Sequence, residues 1–146
     1  MNTHRNELPQ TTGQPFITDG GLETTLHFNS DFDLPDFAAF DLFRQTGGYE
    51  ALRDYYLPYI DIAEARGTGF ILESPTWRAS RDWGRKLGYT RADLSALNRK
   101  SISMLQEIRS LRASDGIPMV ISGCIGPRGD GYQPLEKMAA GEAERY

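Results

Sequence analysis

Three short, uninterrupted apolar runs constrain the fold of this chain more than any other feature of its sequence. They stand in the segments FITDGGLETTL (16–26), GFILESPTWRAS (69–80) and IPMVISGCIGPRGDGY (117–132). Each run breaks off abruptly into small, acidic or hydroxyl-bearing residues. Uninterrupted runs, unlike alternating ones, are typical of strands that are covered on both faces, as in a parallel sheet.

A helical pattern separates the first two runs. Residues 49–66 place apolar and aromatic side chains at helical spacing, and Gly67 follows as a stop signal. Pro58 stands inside this segment, and we expect it to kink the helix or to mark a broken first turn. The residues predicted to share the buried face are Leu52, Tyr56, Tyr59 and Ala63.

A second helix is predicted over 90–112, between the second and third runs. Thr90 can cap its first turn, and Asp93 follows three residues later as a short form of the capping box. Apolar residues recur along one face, which we expect to be buried. They are Leu94, Leu97, Met104 or Leu105, Ile108 and Leu111.

A third helix is expected to begin near Pro134 or Leu135, since proline is favoured in the first helical turn. The order β-α-β-α-β-α predicts an α/β fold with a parallel sheet and right-handed crossovers. In such folds the carboxyl ends of the strands build the ligand site, so we expect three polar clusters at one rim. The alternative is that they form only tight turns.

Charge and composition exclude several classes of function. The net charge is −4 and the basic residues are scattered, so no nucleic-acid partner is expected. No stretch approaches the ~18 apolar residues of a membrane span, so no membrane partner is expected either.

Residues 1–15 lack the apolar segment of a secretory signal. We therefore predict a disordered polar leader over 1–15, one domain over 16–146, and a cytoplasmic protein.

Motifs at the strand ends resemble those of a known family. DGGLETTL (19–26), ESPTWRAS (73–80) and SGCIGPRGDGY (122–132) occur in this order, supported by FAAFDLF (37–43) and DWGRKLGY (82–89). Together they resemble the homocysteine S-methyltransferase family over nearly the whole chain. Any one of these motifs is weak, whereas the ordered set is specific.

The resemblance implies a (β/α)₈ TIM barrel that transfers a methyl group to the sulfur of homocysteine, giving methionine. The donor would be a sulfonium or ammonium compound such as S-methylmethionine, S-adenosylmethionine or a betaine. The family binds the homocysteine thiol to Zn²⁺ held by three cysteines, because coordination makes the thiol a thiolate at neutral pH. Zn²⁺ is thus the cofactor expected of a full-length member, but this chain lacks the three cysteines.

Carried over residue by residue, the resemblance gives substrate-binding residues but no catalytic or metal-binding ones. The Asp-Gly pair after strand one, which contacts the amino-acid end of homocysteine in the family, is Asp19 and Gly20 here. The polar residue at the end of strand two is Ser74, with Thr76 close behind. The residue types agree, since a carboxylate suits an ammonium group and a glycine permits close backbone approach.

Four further residues near the strand ends have two interpretations each. Glu23 and Glu73 are candidates for the ammonium group, or else they cap helices and loops. Trp77 can pack over a cationic donor or simply against the fold. Cys124, the only cysteine, matches no zinc ligand of the family, and a small buried thiol is the expected role.

The length of the chain limits the barrel that it can form. A closed barrel takes about 250 residues, so these 146 residues are expected to be the N-terminal three β/α units of a truncated barrel. We predict a homocysteine S-methyltransferase whose fragment alone is inactive. One alternative is a non-catalytic half-barrel that self-associates or needs a complementary half. Another is a different α/β enzyme that binds a phosphorylated ligand at residues 126–131.

Overall fold

The computed structural model describes residues 6–112, 116–133 and 137–146. Its strands are β1 (Phe16–Thr18), β2 (Gly69–Glu73) and β3 (Met119–Ser122). Its α-helices are α1 (Leu22–Asn29), α2 (Gly48–Arg66), α3 (Arg81–Lys86), α4 (Arg91–Leu111) and α5 (Ala140–Arg145). Short 3₁₀ helices span Pro9–Thr11, Pro35–Phe37 and Ala39–Arg44. The predicted helix start at Pro134 or Leu135 lies outside the described residues.

The three strands form one parallel sheet in the order β1-β2-β3, which confirms the predicted α/β class. Phe16 of β1 pairs with Gly69 of β2, and Glu73 of β2 pairs with Ser122 of β3. A Cβ at Gly69 would lie 2.3 Å from a ring carbon of Phe16, so a larger residue at this pairing would require the Phe16 ring to move. The sheet is open among the described residues, and the closed barrel stays a prediction.

The core lies between the sheet and helices α2 and α4. Pro58 stands within α2, which continues as one helix on both sides of it, so the expected broken first turn does not occur, while the kink stays a prediction. Tyr59 was expected on the buried face but is only half-buried, and Ile60 takes its place. The fully buried residues of α2 are Leu52, Tyr56, Ile60 and Ala63.

Helix α4 begins with the predicted capping box. The Thr90 hydroxyl accepts from the backbone N–H of Asp93 at 3.2 Å, and the Asp93 carboxylate accepts from the backbone N–H of Thr90 at 2.8 Å. Leu111 was predicted to be buried but is 73% exposed, because it occupies the last position of the helix. The buried residues of α4 are Leu94, Ser101, Met104, Leu105 and Ile108.

None of the helices in the described ranges combines the length and the apolar character that a membrane span requires.

Candidate functional site

A cavity of about 950 Å³, here called the strand-end cavity, opens at the carboxyl ends of the strands. It is lined by residues 19–24 after β1, by 73–75 and 77–78 at the end of β2, and by Cys124 after β3. Residues that follow all three strands therefore line one cavity, although Ser122 and Gly123 of the third predicted cluster do not line it. The remaining lining residues are His27, Phe28, Leu34, Asp36, Phe37, Trp83, Lys86, Asp130 and Tyr132.

Three of the four predicted substrate-binding residues line this cavity, namely Asp19, Gly20 and Ser74. Thr76 does not line it. Its side chain is buried beneath the rim, and its hydroxyl donates a 2.8 Å hydrogen bond to the Cys124 carbonyl. Thr76 therefore contacts the residues that shape the cavity rather than the space within it.

Asp19 presents an acceptor atom that the described part of the protein does not use. Its Oδ1 atom is buried and has no hydrogen-bond partner among the described residues. Burial raises the pKa of the Asp19 carboxyl, and the nearby Glu73 carboxylate raises it further. Contact with the Tyr55 hydroxyl, which also donates to the Gly20 carbonyl at 2.8 Å, offsets part of this rise in pKa. A partly buried carboxylate whose Oδ1 has no partner among the described residues suits a cationic donor of several hydrogen bonds.

Gly20 is held in place through its carbonyl oxygen. Tyr55 and Tyr59 of α2 both donate to this oxygen, at 2.8 Å and 3.0 Å. A Cβ on Gly20 would meet no protein atom within 4 Å, so packing within the protein does not require glycine here. The space in front of the Gly20 backbone therefore remains open to a ligand. The next residue, Gly21, adopts a left-handed conformation with φ of 68° and is the N-cap of α1.

Ser74 takes part in a closed hydrogen-bond network between the ends of β2 and β3. Its Oγ accepts from the backbone N–H of Cys124 at 2.9 Å and lies 2.7 Å from Oγ1 of Thr76. Because Thr76 donates its only hydrogen to the Cys124 carbonyl, the hydrogen between the two hydroxyls belongs to Ser74. Ser74 thus has no hydrogen left to donate, and its remaining lone pair can only accept.

Two glutamates extend the acidic side of the cavity. Burial raises the pKa of the Glu23 carboxyl, and the carboxylates of Asp19 and Glu73 raise it further. Glu73 is exposed at the end of β2, where its carbonyl accepts a 2.7 Å hydrogen bond from the hydroxyl of Tyr56. Three carboxyl groups, those of Asp19, Glu23 and Glu73, therefore line the same part of the cavity. Their negative charge favours a cationic ligand group next to Oδ1 of Asp19.

The residues present do not fit the three-cysteine zinc site that the family resemblance implies. Cys124 is the only cysteine of the chain. Burial raises the pKa of its thiol to about 12, helped by the Glu73 carboxylate, so the thiol stays protonated at neutral pH. A single cysteine cannot supply the three thiolates of such a site. In the described ranges, no group of three or more His, Cys, Asp or Glu side chains lies close enough to hold a metal.

A cation and two indole rings lie on the side of the cavity formed after β2. Arg78 is only 8% exposed, and its Cζ atom lies 4.4 Å from the ring centroid of Trp77 and 3.8 Å from that of Trp83. Trp77 was considered as a partner for a cationic donor, and its ring already contacts the cation of Arg78. The sequence analysis did not identify Arg78. Its position between Trp77 and Trp83, in the motifs ESPTWRAS and DWGRKLGY, could have indicated a stacked arginine.

The 34–37 segment forms part of the cavity wall and has a strained backbone. Asp36 and Phe37 adopt φ angles of 51° and 57°, which non-glycine residues rarely do. The Asp36 carboxylate forms a 2.6 Å ion pair with Nζ of Lys86. Strain of this kind persists where the surrounding structure fixes it and is frequent at ligand sites.

Comparison with known proteins agrees with the strand-end motifs. A protein-family model described as homocysteine S-methyltransferase matches residues 16–146. Neither the curated proteins nor the solved structures gave a match to this chain. The matched range contains β1, β2, β3 and every residue that lines the strand-end cavity. The chain therefore belongs to the homocysteine S-methyltransferase family.

Proposed function

We propose that the strand-end cavity binds the amino-acid end of homocysteine for methyl transfer to its sulfur. The observation that carries this proposal is the set of unused acceptors at the rim: Oδ1 of Asp19 and the remaining lone pair of Ser74. An ammonium group has three hydrogens to donate and no acceptor, so it complements such a set. Gly20, which leaves open space beside these acceptors, lets the substrate approach the backbone.

The chemistry that follows is an in-line displacement. The thiolate of homocysteine attacks the methyl carbon of a sulfonium or ammonium donor, a carbon–sulfur bond forms, and the donor leaves with the electron pair of the broken bond. A free thiol has a pKa near ~8.5 and is mostly protonated at neutral pH. In the family, Zn²⁺ supplies the thiolate. The residues of this chain do not fit the three-cysteine zinc site. Their contribution to the reaction is therefore to orient the amino-acid end of homocysteine.

The architecture that we propose is the first three β/α units of a (β/α)₈ barrel. In a barrel the second face of each strand points to a filled interior. Ile71 of β2 lies between the buried Phe70 and Leu72 and points to the opposite face, where it is only half-buried. Such an apolar side chain suits a sheet that further strands complete. A cytoplasmic location and small-molecule substrates remain part of this proposal.

No observation among the described residues favours the alternatives. In the 126–131 loop, the cation that a phosphorylated ligand would need is already engaged. Arg128 forms an ion pair with Asp82 at 2.9 Å and another with Glu142. A phosphate would have to displace both carboxylates.

Titration calorimetry with L-homocysteine tests the proposed function. The probes are L-homocysteine and 4-sulfanylbutanoate, which lacks only the amino group. We expect Asp19→Asn to weaken the binding of homocysteine by about tenfold or more, because a charge-assisted hydrogen bond is lost. The same change should leave the affinity for 4-sulfanylbutanoate almost unaffected. Asp31→Asn, an exposed aspartate outside the cavity, is the matched control. Equal homocysteine affinity in Asp19→Asn and wild type would contradict the proposal.

A further inference from the structure

Arg78 is a buried cation whose Nε donor is not used by the residues that the structure describes. Its side chain is 8% exposed and lines the strand-end cavity. Its Nε atom is buried and finds no hydrogen-bond partner among the described residues. Its ion pair with Asp130 is long, with 3.8 Å between Nη2 and Oδ1. A buried guanidinium of this kind calls for an acceptor, and the cavity is where one can enter.

The two tryptophans hold this guanidinium ready for a ligand. The rings of Trp77 and Trp83 lie within 4.4 Å and 3.8 Å of Cζ of Arg78, measured to the ring centroids. Trp83 is itself fixed by a hydrogen bond from Nε1 to the carbonyl of Gly129 at 3.2 Å. Stacking restricts the side-chain rotamers of the arginine, so less entropy is lost when a ligand binds.

The cavity therefore has two walls of opposite character. Asp19 and Glu23 lie after β1 and offer carboxylates, whereas Arg78 lies after β2 and offers the N–H donors of a guanidinium. We propose that Arg78 binds the carboxylate of a zwitterionic ligand whose cationic end faces Asp19. The inference rests on the proposed function, because it assigns the other end of the same kind of substrate.

A carboxylate fits this place better than a phosphate does. Lys86, the other cation of the cavity, is engaged by Asp36 at 2.6 Å. Three carboxyl groups, those of Asp19, Glu23 and Glu73, line the same cavity and repel a dianion. A planar monoanion can form two parallel hydrogen bonds with one guanidinium, and the Nε donor of Arg78 has no partner among the described residues.

The carboxylate could belong to either substrate of the methyl transfer. Homocysteine carries one, and so does an amino-acid donor such as S-methylmethionine. The test therefore uses both zwitterions on the full 146-residue chain, with their decarboxylated counterparts, 3-aminopropanethiol and (3-aminopropyl)dimethylsulfonium. Calorimetry measures the affinities of wild type, Arg78→Met and Arg78→Lys. Arg53→Met, which removes an arginine outside the cavity, is the matched control.

We expect Arg78→Met to lower the affinity for one of the two zwitterions by about tenfold or more. The affinity for its decarboxylated counterpart should not change comparably. Arg78→Lys should restore only part of the affinity, since lysine cannot form the two-pronged contact. The zwitterion that loses affinity identifies the source of the carboxylate. The Arg78 Nε–H signal in ¹H–¹⁵N spectra of wild type should also shift with that zwitterion, a readout that does not require the variant to fold.

Two results would overturn the assignment of Arg78, and they differ in what they say of the proposed function. If homocysteine binds, and neither the loss of its carboxylate nor the change at Arg78 alters any affinity, Arg78 has no such role and the proposed function stands. If neither zwitterion binds to wild type and the Nε–H signal stays in place, the role of Arg78 and the proposed function both fail.

Discussion

The hydroxyl of Tyr55 donates a 2.8 Å hydrogen bond to the backbone carbonyl of Gly20. Tyr59, one helical turn later, donates to the same oxygen at 3.0 Å, and Tyr56 donates to the carbonyl of Glu73 at 2.7 Å. These three tyrosines all stand on α2. One helix therefore fixes the ends of both strands from which the predicted substrate-binding residues follow.

Tyr55→Phe removes one of the two donors to Gly20. We expect a loss of about 1 kcal/mol in the free energy of unfolding, the usual net value of such a hydrogen bond. We also expect a several-fold loss of homocysteine affinity, because the turn that carries Asp19 is less firmly held. Urea denaturation and calorimetry measure the two effects. Tyr49→Phe is the control, since its hydroxyl bonds to Glu107, away from the cavity. The same loss of affinity in both variants would contradict this account.

Ser74→Ala should destabilise the protein more than an ordinary serine change. Its Oγ accepts from the Cys124 N–H and contacts the Thr76 hydroxyl, so its removal leaves buried polar groups without partners. The expected cost is about 1–3 kcal/mol, measured as a lower urea midpoint. Ser110→Ala, at an exposed hydroxyl bonded to the Gln106 carbonyl, is the matched control. A midpoint no lower than that of the control would show that the network does not hold the strand ends together.

The ionised carboxylate of Asp19, which the proposed function requires for binding, should lower the free energy of unfolding. Burial raises the pKa of its carboxyl above 3.8, so the folded state binds more protons than the unfolded state between 3.8 and the raised value. Stability therefore falls as pH rises through this window, and the loss is complete above it. Asparagine cannot ionise, so Asp19→Asn should raise Tm at pH 7 and lose this advantage below pH 3.8. A lower Tm at pH 7 would contradict the argument.

Cys124 should be a slow nucleophile in the folded protein. Since the pKa of its thiol is raised from 9.0 to about 12, the thiolate fraction at pH 8 falls roughly a thousandfold. Alkylation by iodoacetamide, followed by mass spectrometry, should be correspondingly slow when folded and fast in urea. Equal rates in the two states would show that neither burial nor the acidic neighbours act on this thiol.

The sequence predicted the elements that depend on local patterns. The uninterrupted runs predicted β1, β2 and β3 because strands covered on both faces show no alternation. Thr90 and Asp93 predicted the start of α4 because a capping box needs only residues within one turn.

Contacts between distant segments were beyond such patterns. Helical spacing placed Tyr59 on the buried face, but the spacing does not reveal that its hydroxyl reaches the Gly20 carbonyl. It also does not reveal that Leu111 stands at the exposed end of α4. Arg78 was missed although it stands between Trp77 and Trp83 in the sequence, because residue types alone do not show that its guanidinium is buried against both rings. The family motifs gave Asp19, Gly20 and Ser74, and only the structure shows which of their atoms are free to bind.

The most direct test of the central claim is a ¹H–¹⁵N correlation spectrum of the chain titrated with L-homocysteine. The account predicts shifts that saturate and that are largest for the amides of Gly20, Gly21 and Ser74, at the carboxyl ends of β1 and β2. Shifts confined to residues 126–131, or no shifts at millimolar homocysteine, would contradict it, because the amino acid would then not occupy the strand-end cavity.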